Sequence, residues 1–229
     1  MSELSPPQPR LFTPELVQRL QRALLAEGDE LFSLVQDPAP EVLRTLLKNH
    51  HLAEDHLLAL LRRRDLAEDL LKALHQHELA MSSYRLKLAL AVHPKSPASV
   101  LQPLLPHLHL FDLLGICLHP ATTPDQKLAA ERTIVQRLPG VPLGNRITLA
   151  RRAPSTFLVE LLAGGEAQVI SAALDNPRLK EGSLVQYLSG GRATANAITN
   201  IFRHPRWQKL PSIRLTLLKH PQTPENIFR

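Results

Sequence analysis

The sequence is poor in cysteine, aromatic residues and glycine, and each shortage closes a route. Cys117 is the only cysteine, so one chain can form neither a disulfide nor a multi-cysteine metal or cluster site. The apolar run around it, "DLLGICLHP", reads as a buried, inert thiol. Aromatic residues make up 4% and glycines number nine, while Leu and Ala dominate over β-branched residues, a balance that favours helix over sheet. No run of eighteen apolar residues exists, and the opening "MSELSPPQPRLF" has no charged region followed by an apolar one. Neither a membrane span nor a secretory signal is therefore expected, and a cytoplasmic location follows. Gly-x-Ser-x-Gly, the Walker loop and Gly-x-Gly-x-x-Gly are all missing, so nothing in the motifs points to an enzyme or to a bound cofactor.

What is abundant is leucine punctuated by twenty prolines, with 44% hydrophobic residues to supply a core. The prolines recur in one phrase: His93-Pro94-Lys-Ser-Pro97, His119-Pro120-Ala-Thr-Thr-Pro124, Asn176-Pro177-Arg-Leu-Lys-Glu181 and His220-Pro221-Gln-Thr-Pro224. Ala153-Pro154 and His204-Pro205 are looser copies. Asn49-His50-His51 opens a degenerate one that shares its Asn, two leucines and Glu with residues 176–184. Prolines 94, 120, 154, 177 and 205 lie 26, 34, 23 and 28 residues apart, the period of helical repeats. A proline has no N–H and clashes with the preceding turn, so it ends the helix before it. The His or Asn ahead of it is expected to bond the last carbonyls of that helix, a protonated His suiting the negative helix end. Ser96, Thr123 and Thr223 are expected as N-caps, with proline at the first helical position and Gln126 completing a capping box.

The phrase is thus a corner joining two helices. Helices are expected over 14–26, 41–48, 54–63, 67–79, 83–92, 97–105, 124–137, 143–151, 155–163, 166–174, 181–189, 192–203, 210–218 and from 224 on. A fully buried one is expected over 108–118. Gly164-Gly165 and Gly190-Gly191 read as helix exits, and 138–145 as the main bend or boundary. Residues 1–12 read as a flexible Pro-rich tail. Residues 13–229 read as one domain, less regular over 13–82 and clearer over 83–229. The helix from 224 reads as a terminal stub or the start of a longer protein's next repeat.

The phrases "ALDNPRLKEGSLVQYL" and "LLKHPQTPENIF" resemble bacterial HEAT-like repeats of the variant leucine-rich type. The resemblance implies an all-α fold, an α-solenoid of stacked antiparallel helix pairs in a right-handed superhelix, and a binding scaffold without chemistry of its own. Some variant repeat proteins carry an N-terminal cysteine-ligated iron–sulfur cluster; with Cys117 alone, this chain departs from that pattern.

Candidate sites are few. His50, His51, His56, His75 and His77 lack the three- or four-residue spacing that would put zinc ligands on one helix face, and they read as surface or capping residues. Glu54-Asp55 and Glu68-Asp69 fall in first helical turns, where acids suit the positive helix end. "SGGRATANAIT" at 189–199 reads as a helix cap with Arg192 beside it. Charge is uneven: residues 1–50 hold five Lys/Arg against seven Asp/Glu, and residues 151–229 hold eleven against five. The candidate partner-binding set is Arg178, Lys180, Arg192, Arg203, Arg206, Trp207, Lys209 and Arg214. The leading expectation is a protein or peptide partner held along the helical surface. The alternative is nucleic acid on a basic C-terminal face, with Trp207 and Asp175 imagined in glycosylase-like roles.

Overall fold

Why do so many short helices follow each other here? A computed structural model of the chain describes residues 13–223. The expected tail over 1–12 and the helix from 224 lie outside the described residues. Among the described residues all regular structure is helical. The chain divides into two compact units at Leu108/His109.

The first unit holds α1 (Pro14–Leu25), α2 (Asp29–Val35), α3 (Pro40–Leu46), α4 (Glu54–Leu61), α5 (Glu68–Gln76), α6 (Glu78–Ser82), α7 (Tyr84–Val92) and α8 (Ala98–Leu104). α1 packs on α3, α3 on α5 and α5 on α8, while α2 packs on α4 and α4 on α7. The core lies between these two rows and is mostly leucine, including Leu31, Leu46, Leu57, Leu60, Leu71 and Leu90. The second unit holds α9 (Leu110–Leu118), α10 (Pro124–Arg137), α11 (Leu143–Arg152), α12 (Ser155–Ala163), α13 (Ala167–Leu174), α14 (Glu181–Ser189), α15 (Ala195–Arg203) and α16 (Pro211–Lys219). α9 and α10 pair; α11, α13 and α15 then form one row and α12, α14 and α16 the other.

Proline and hydroxyl punctuation sets the ends much as expected. Thr13 and Thr123 cap helices whose first residue is proline. Gln126 closes the capping box, the Thr123 N–H donating to its Oε1 at 2.8 Å. The second glycine of two exits, Gly165 and Gly191, takes the left-handed φ that a side chain would resist. Three expectations need correction. α2 was not expected: its N-cap is Gly28, with no side-chain cap and no proline to announce it. The helix over 67–79 breaks at His77, which is extended and starts α6. α9 is not buried all round, since Phe111 is 38% exposed.

The corner residues also work differently. Ser96 is not an N-cap, that place falling to Pro97, and the helix that Thr223 was expected to cap lies outside the described residues. The hydroxyls of Ser96, Thr122 and Thr223 each reach back six residues to a carbonyl of the helix just ended, Leu90, Ile116 and Leu217 respectively. The His or Asn does not cap its own helix. Its acceptor (Nδ1 or Oδ1) takes the backbone N–H two residues ahead, in Asn49, His77, His93, His119, Asn176, His204 and His220. A histidine accepting at Nδ1 is neutral with its proton on Nε2. That donor then reaches a corner about one repeat earlier: His77 to Leu47 O at 3.1 Å, His93 to Arg63 O at 2.7 Å and His204 to Asp175 Oδ1 at 3.0 Å. Asn49 Nδ2 donates to Ala23 O and Ala26 O at 3.0 and 2.9 Å; Asn176 Nδ2 donates to Ala150 O and Ala153 O at 2.7 and 3.1 Å.

These last two sets are the same contact displaced by 127 residues, and the displacement is general. α3, α4, α5 and α7 begin 127 residues before α13, α14, α15 and α16, and α1 and α2 overlap α11 and α12 at the same shift. Asn49 maps to Asn176, His77 to His204 and His93 to His220. Residues 13–96 and 140–223 are therefore two copies of one helical unit in unbroken register. Beyond buried leucines and the corner Asn, His and Ala, few aligned positions keep the same residue.

Two measurements check this ladder. Asn176→Ala strands the Ala150 and Ala153 carbonyls in the interior and should lower stability by about 2–4 kcal/mol in urea unfolding, with Asn49→Ala costing about the same. His93 is 3% exposed, and burial holds its pKa below the ordinary histidine value, against a smaller upward pull from its bond to Arg63 O. Its contribution is therefore complete above about pH 6.5 and is lost as pH falls through its lowered value, because the unfolded chain takes up the proton first. His93→Asn, which keeps one acceptor and one donor but does not titrate, should flatten stability against pH below about 6.5 by up to one proton.

Candidate functional site

In the second copy the corners that join row to row carry a set of exposed cations. Three such corners follow α11, α13 and α15. Asn176 ties the second to the first, and Arg178 adds a bond from Nη1 to Arg152 O at 3.2 Å. The third is tied to the second by His204 on Asp175, by Arg206 donating to Asn176 O and Leu179 O at 3.3 and 3.0 Å, and by Trp207 Nε1 donating to Leu174 O at 2.9 Å. The three corners thus form a continuous edge.

Of the predicted partner-binding residues, Arg178, Lys180, Arg203, Arg206 and Lys209 lie in or beside these corners, all exposed. Arg192 does not join them: it follows α14 at the opposite turn and pairs with Glu160 through two bonds of 3.0 and 2.8 Å. That bond lowers the Glu160 pKa and raises that of Arg192. Arg214 is exposed in the middle of α16, away from any corner. Trp207 needs a correction as an exposed aromatic. It is 1% exposed, its one polar atom is bonded, and Arg206 lies over its outer side with the guanidinium carbon 4.1 Å from the ring. In the first copy its position is Ala80, also buried, so this is packing. Tyr187 is buried too, donating to Leu162 O at 3.2 Å. Sequence reading overlooked Arg151 and Arg152, which close α11. The phrase around Pro154 lacks the His or Asn that marks the other corners.

The histidines of the first copy act separately. His51 meets Glu27 at 3.1 Å, His56 accepts the Ala53 N–H and lies edge-on to Phe32, and His77 holds Leu47 O. Among the described residues no three potential metal ligands gather. Glu54 and Asp55 open α4 beside Arg85, and Asp69, in the first turn of α5, lies near Arg44 and Lys72. Asp175, imagined in acid–base work, is the acceptor for His204.

Concave places occur among the described residues of the second unit. A groove of about 450 Å³ runs over α11 and α13, lined by Ile147, Arg151, Ala167, Gln168, Ser171, Ala172 and Asp175. A smaller one of about 200 Å³ lies by the Arg146–Glu166 ion pair. A third of about 500 Å³ adjoins His220, whose buried Nε2 lacks the carbonyl that His93 Nε2 finds in the first copy. No family model, curated protein or solved structure matches the chain. Among the described residues no helix is long and apolar enough to cross a membrane.

Cys117 is 6% exposed, and burial pushes its thiol up to about 12. A thiol-specific disulfide reagent at about pH 8 should leave the native protein unmodified over minutes and titrate one thiol in denaturant; rapid native reaction would show α9 opening.

Proposed function

We propose that the chain is a non-enzymatic helical repeat scaffold of the HEAT-like, variant leucine-rich type. Its helix pairs stack as an α-solenoid, right-handed as the resemblance implies, and it binds a protein or peptide in the groove over α11 and α13. The row-on-row packing within each unit and the repeat-to-repeat bonds of the corners support the stacked architecture. The groove carries the functional reading. Its lining sets one cation, one anion and two neutral polar groups, Arg151, Asp175, Gln168 and Ser171, around Ile147 and two alanines. Small side chains let an extended backbone approach, the polar ones can meet its N–H and C=O groups, and Ile147 offers an apolar anchor.

Selection of peptides from a displayed random library against the whole chain, followed by titration of the winners, tests this. Ser171 is exposed, so Ser171→Arg should fill the groove without unfolding the protein. Binding should weaken by at least about tenfold, with the melting temperature unchanged. Peptides that bind the variant as tightly as the wild type would place the docking surface elsewhere.

A further inference from the structure

The two copies differ most where their corners face solvent. Along the second copy's edge stand Arg152, Arg178, Lys180, Arg203, Arg206 and Lys209, all exposed. The positions 127 residues earlier hold Leu25, His51, Ala53, Gln76, Leu79 and Ser82. At these six positions the charge is confined to one copy, and the backbone repeats except over 78–82, a helix in the first copy where the second has a turn. His51, the one titratable residue among the six, is matched by Glu27. Two carboxylates stand on the same edge, Asp175 accepting from His204 and Glu181 from Ser212, so six cations face two anions and the excess stays positive.

Two of the arginines are held in place. Arg178 is anchored on Arg152 O, and Arg206 on two carbonyls and the Trp207 ring, so each presents its remaining donors from a fixed position. No large apolar side chain is exposed in these corners, and their one aromatic is buried. A protein interface needs a desolvated apolar or aromatic centre. A single-stranded nucleic acid needs an open ring on which bases stack. The backbone of a duplex needs neither; it needs a row of cations meeting a row of phosphates.

We propose that this edge is a sequence-independent phosphate-binding surface for duplex nucleic acid. It borders the α11/α13 groove at Asp175 and does not depend on a peptide binding there. Recognition rests on Arg152, Arg178, Lys180, Arg203, Arg206 and Lys209 and involves no chemistry on the bases.

The test is fluorescence anisotropy of the whole chain with a short labelled DNA duplex over a series of salt concentrations. Log affinity should fall linearly with log salt, by about 0.9 for each phosphate neutralised. The triple variant Lys180→Gln, Arg203→Gln, Lys209→Gln removes three cations for which no structural bond is seen. It should keep the wild-type melting temperature and reduce the slope by about 3. Arg192→Gln with Arg214→Gln, away from the edge, should leave the slope unchanged. A duplex of scrambled sequence should bind equally. Several results would overturn the proposal: no duplex binding at low salt, an unchanged slope in the triple variant, or tighter binding of the matching single strand. Polyglutamate binding as tightly through the same three residues would make the partner an acidic protein instead. The groove variant Ser171→Arg leaves all six cations in place and should bind duplex at least as tightly as the wild type, so failure of one reading leaves the other standing.

Discussion

The structure depends on one polar side chain at each corner that carries an Asn or His, and the corner at Ala153-Pro154, which has neither, is met by Asn176 of the next. Where a helix stops at a proline and another begins a few residues later, the turn leaves an N–H pointing inward, and an earlier corner leaves carbonyls unmet. Burying either without a partner costs more than the bond itself returns. Asn and neutral His solve both problems at once, with an acceptor and a donor at opposite ends of a short, flat group. Asn49 and Asn176 are 4% and 1% exposed and His93 is 3% exposed, so water cannot substitute. Because the donor must land on a carbonyl 23 to 30 residues upstream, helix and turn lengths are constrained together. An inserted residue would move the donor off its target.

That constraint explains how two copies of a unit can lose most of their identity and keep their register. What is retained is the Asn or His acceptor of each rung and the leucines beneath it, while the donor of His77 finds a carbonyl, that of His204 a carboxylate and that of His220 no partner among the described residues. What varies is how each copy satisfies the groups around them. Arg19 and Arg146 occupy the same place, and both keep a carboxylate. In the first copy it comes from Asp37, held at 2.8 Å and 8% exposed; in the second that position is Gly164 and the partner is Glu166. Arg63 donates to Val35 O and Asp37 O at 2.8 Å. Its counterpart is Gly190, with no side chain to reach that loop, and Arg192 instead pairs across to Glu160. The local ion pairs are re-partnered while the helices stay put.

Much of the helix plan was legible because it is written in local chemistry. Proline ends a helix by sterics, Thr before Pro begins one, and leucine spacing marks the buried face, all within a few residues. α2 escaped notice because it carries none of these marks: a left-handed Gly28 starts it, and tertiary burial of Leu31, Leu34 and Val35 holds it. The histidine role was misread for a related reason. A His before Pro looks like a C-cap when only its neighbours are considered; its true partner lies about thirty residues away, a separation that no local window contains. Trp207 likewise looked available beside Arg206 and Lys209, but a tertiary carbonyl, Leu174 O, claims its N–H. The charge asymmetry was legible as a bulk excess. Which cations share an edge was not, since Arg192 and Arg203 are close in sequence and belong to opposite turns.

The corners are also where change is cheapest for this architecture. Their backbone is fixed by Asn and His, so the exposed side chains between carry little of the stability. Leu25 and Ala53 in one copy correspond to Arg152 and Lys180 in the other without moving a helix boundary, whereas Leu79 lies in α6 and its counterpart Arg206 in a turn. Substitution in the rows is different: Leu57 and Leu184, or Leu90 and Leu217, fill equivalent interior sites, and a charge there would be buried without a partner. A duplicated unit of this kind therefore diverges first along its turns. The basic edge of the second copy is the clearest divergence of that sort in the molecule, because every cation on it stands where the first copy has an uncharged side chain or a histidine matched by Glu27.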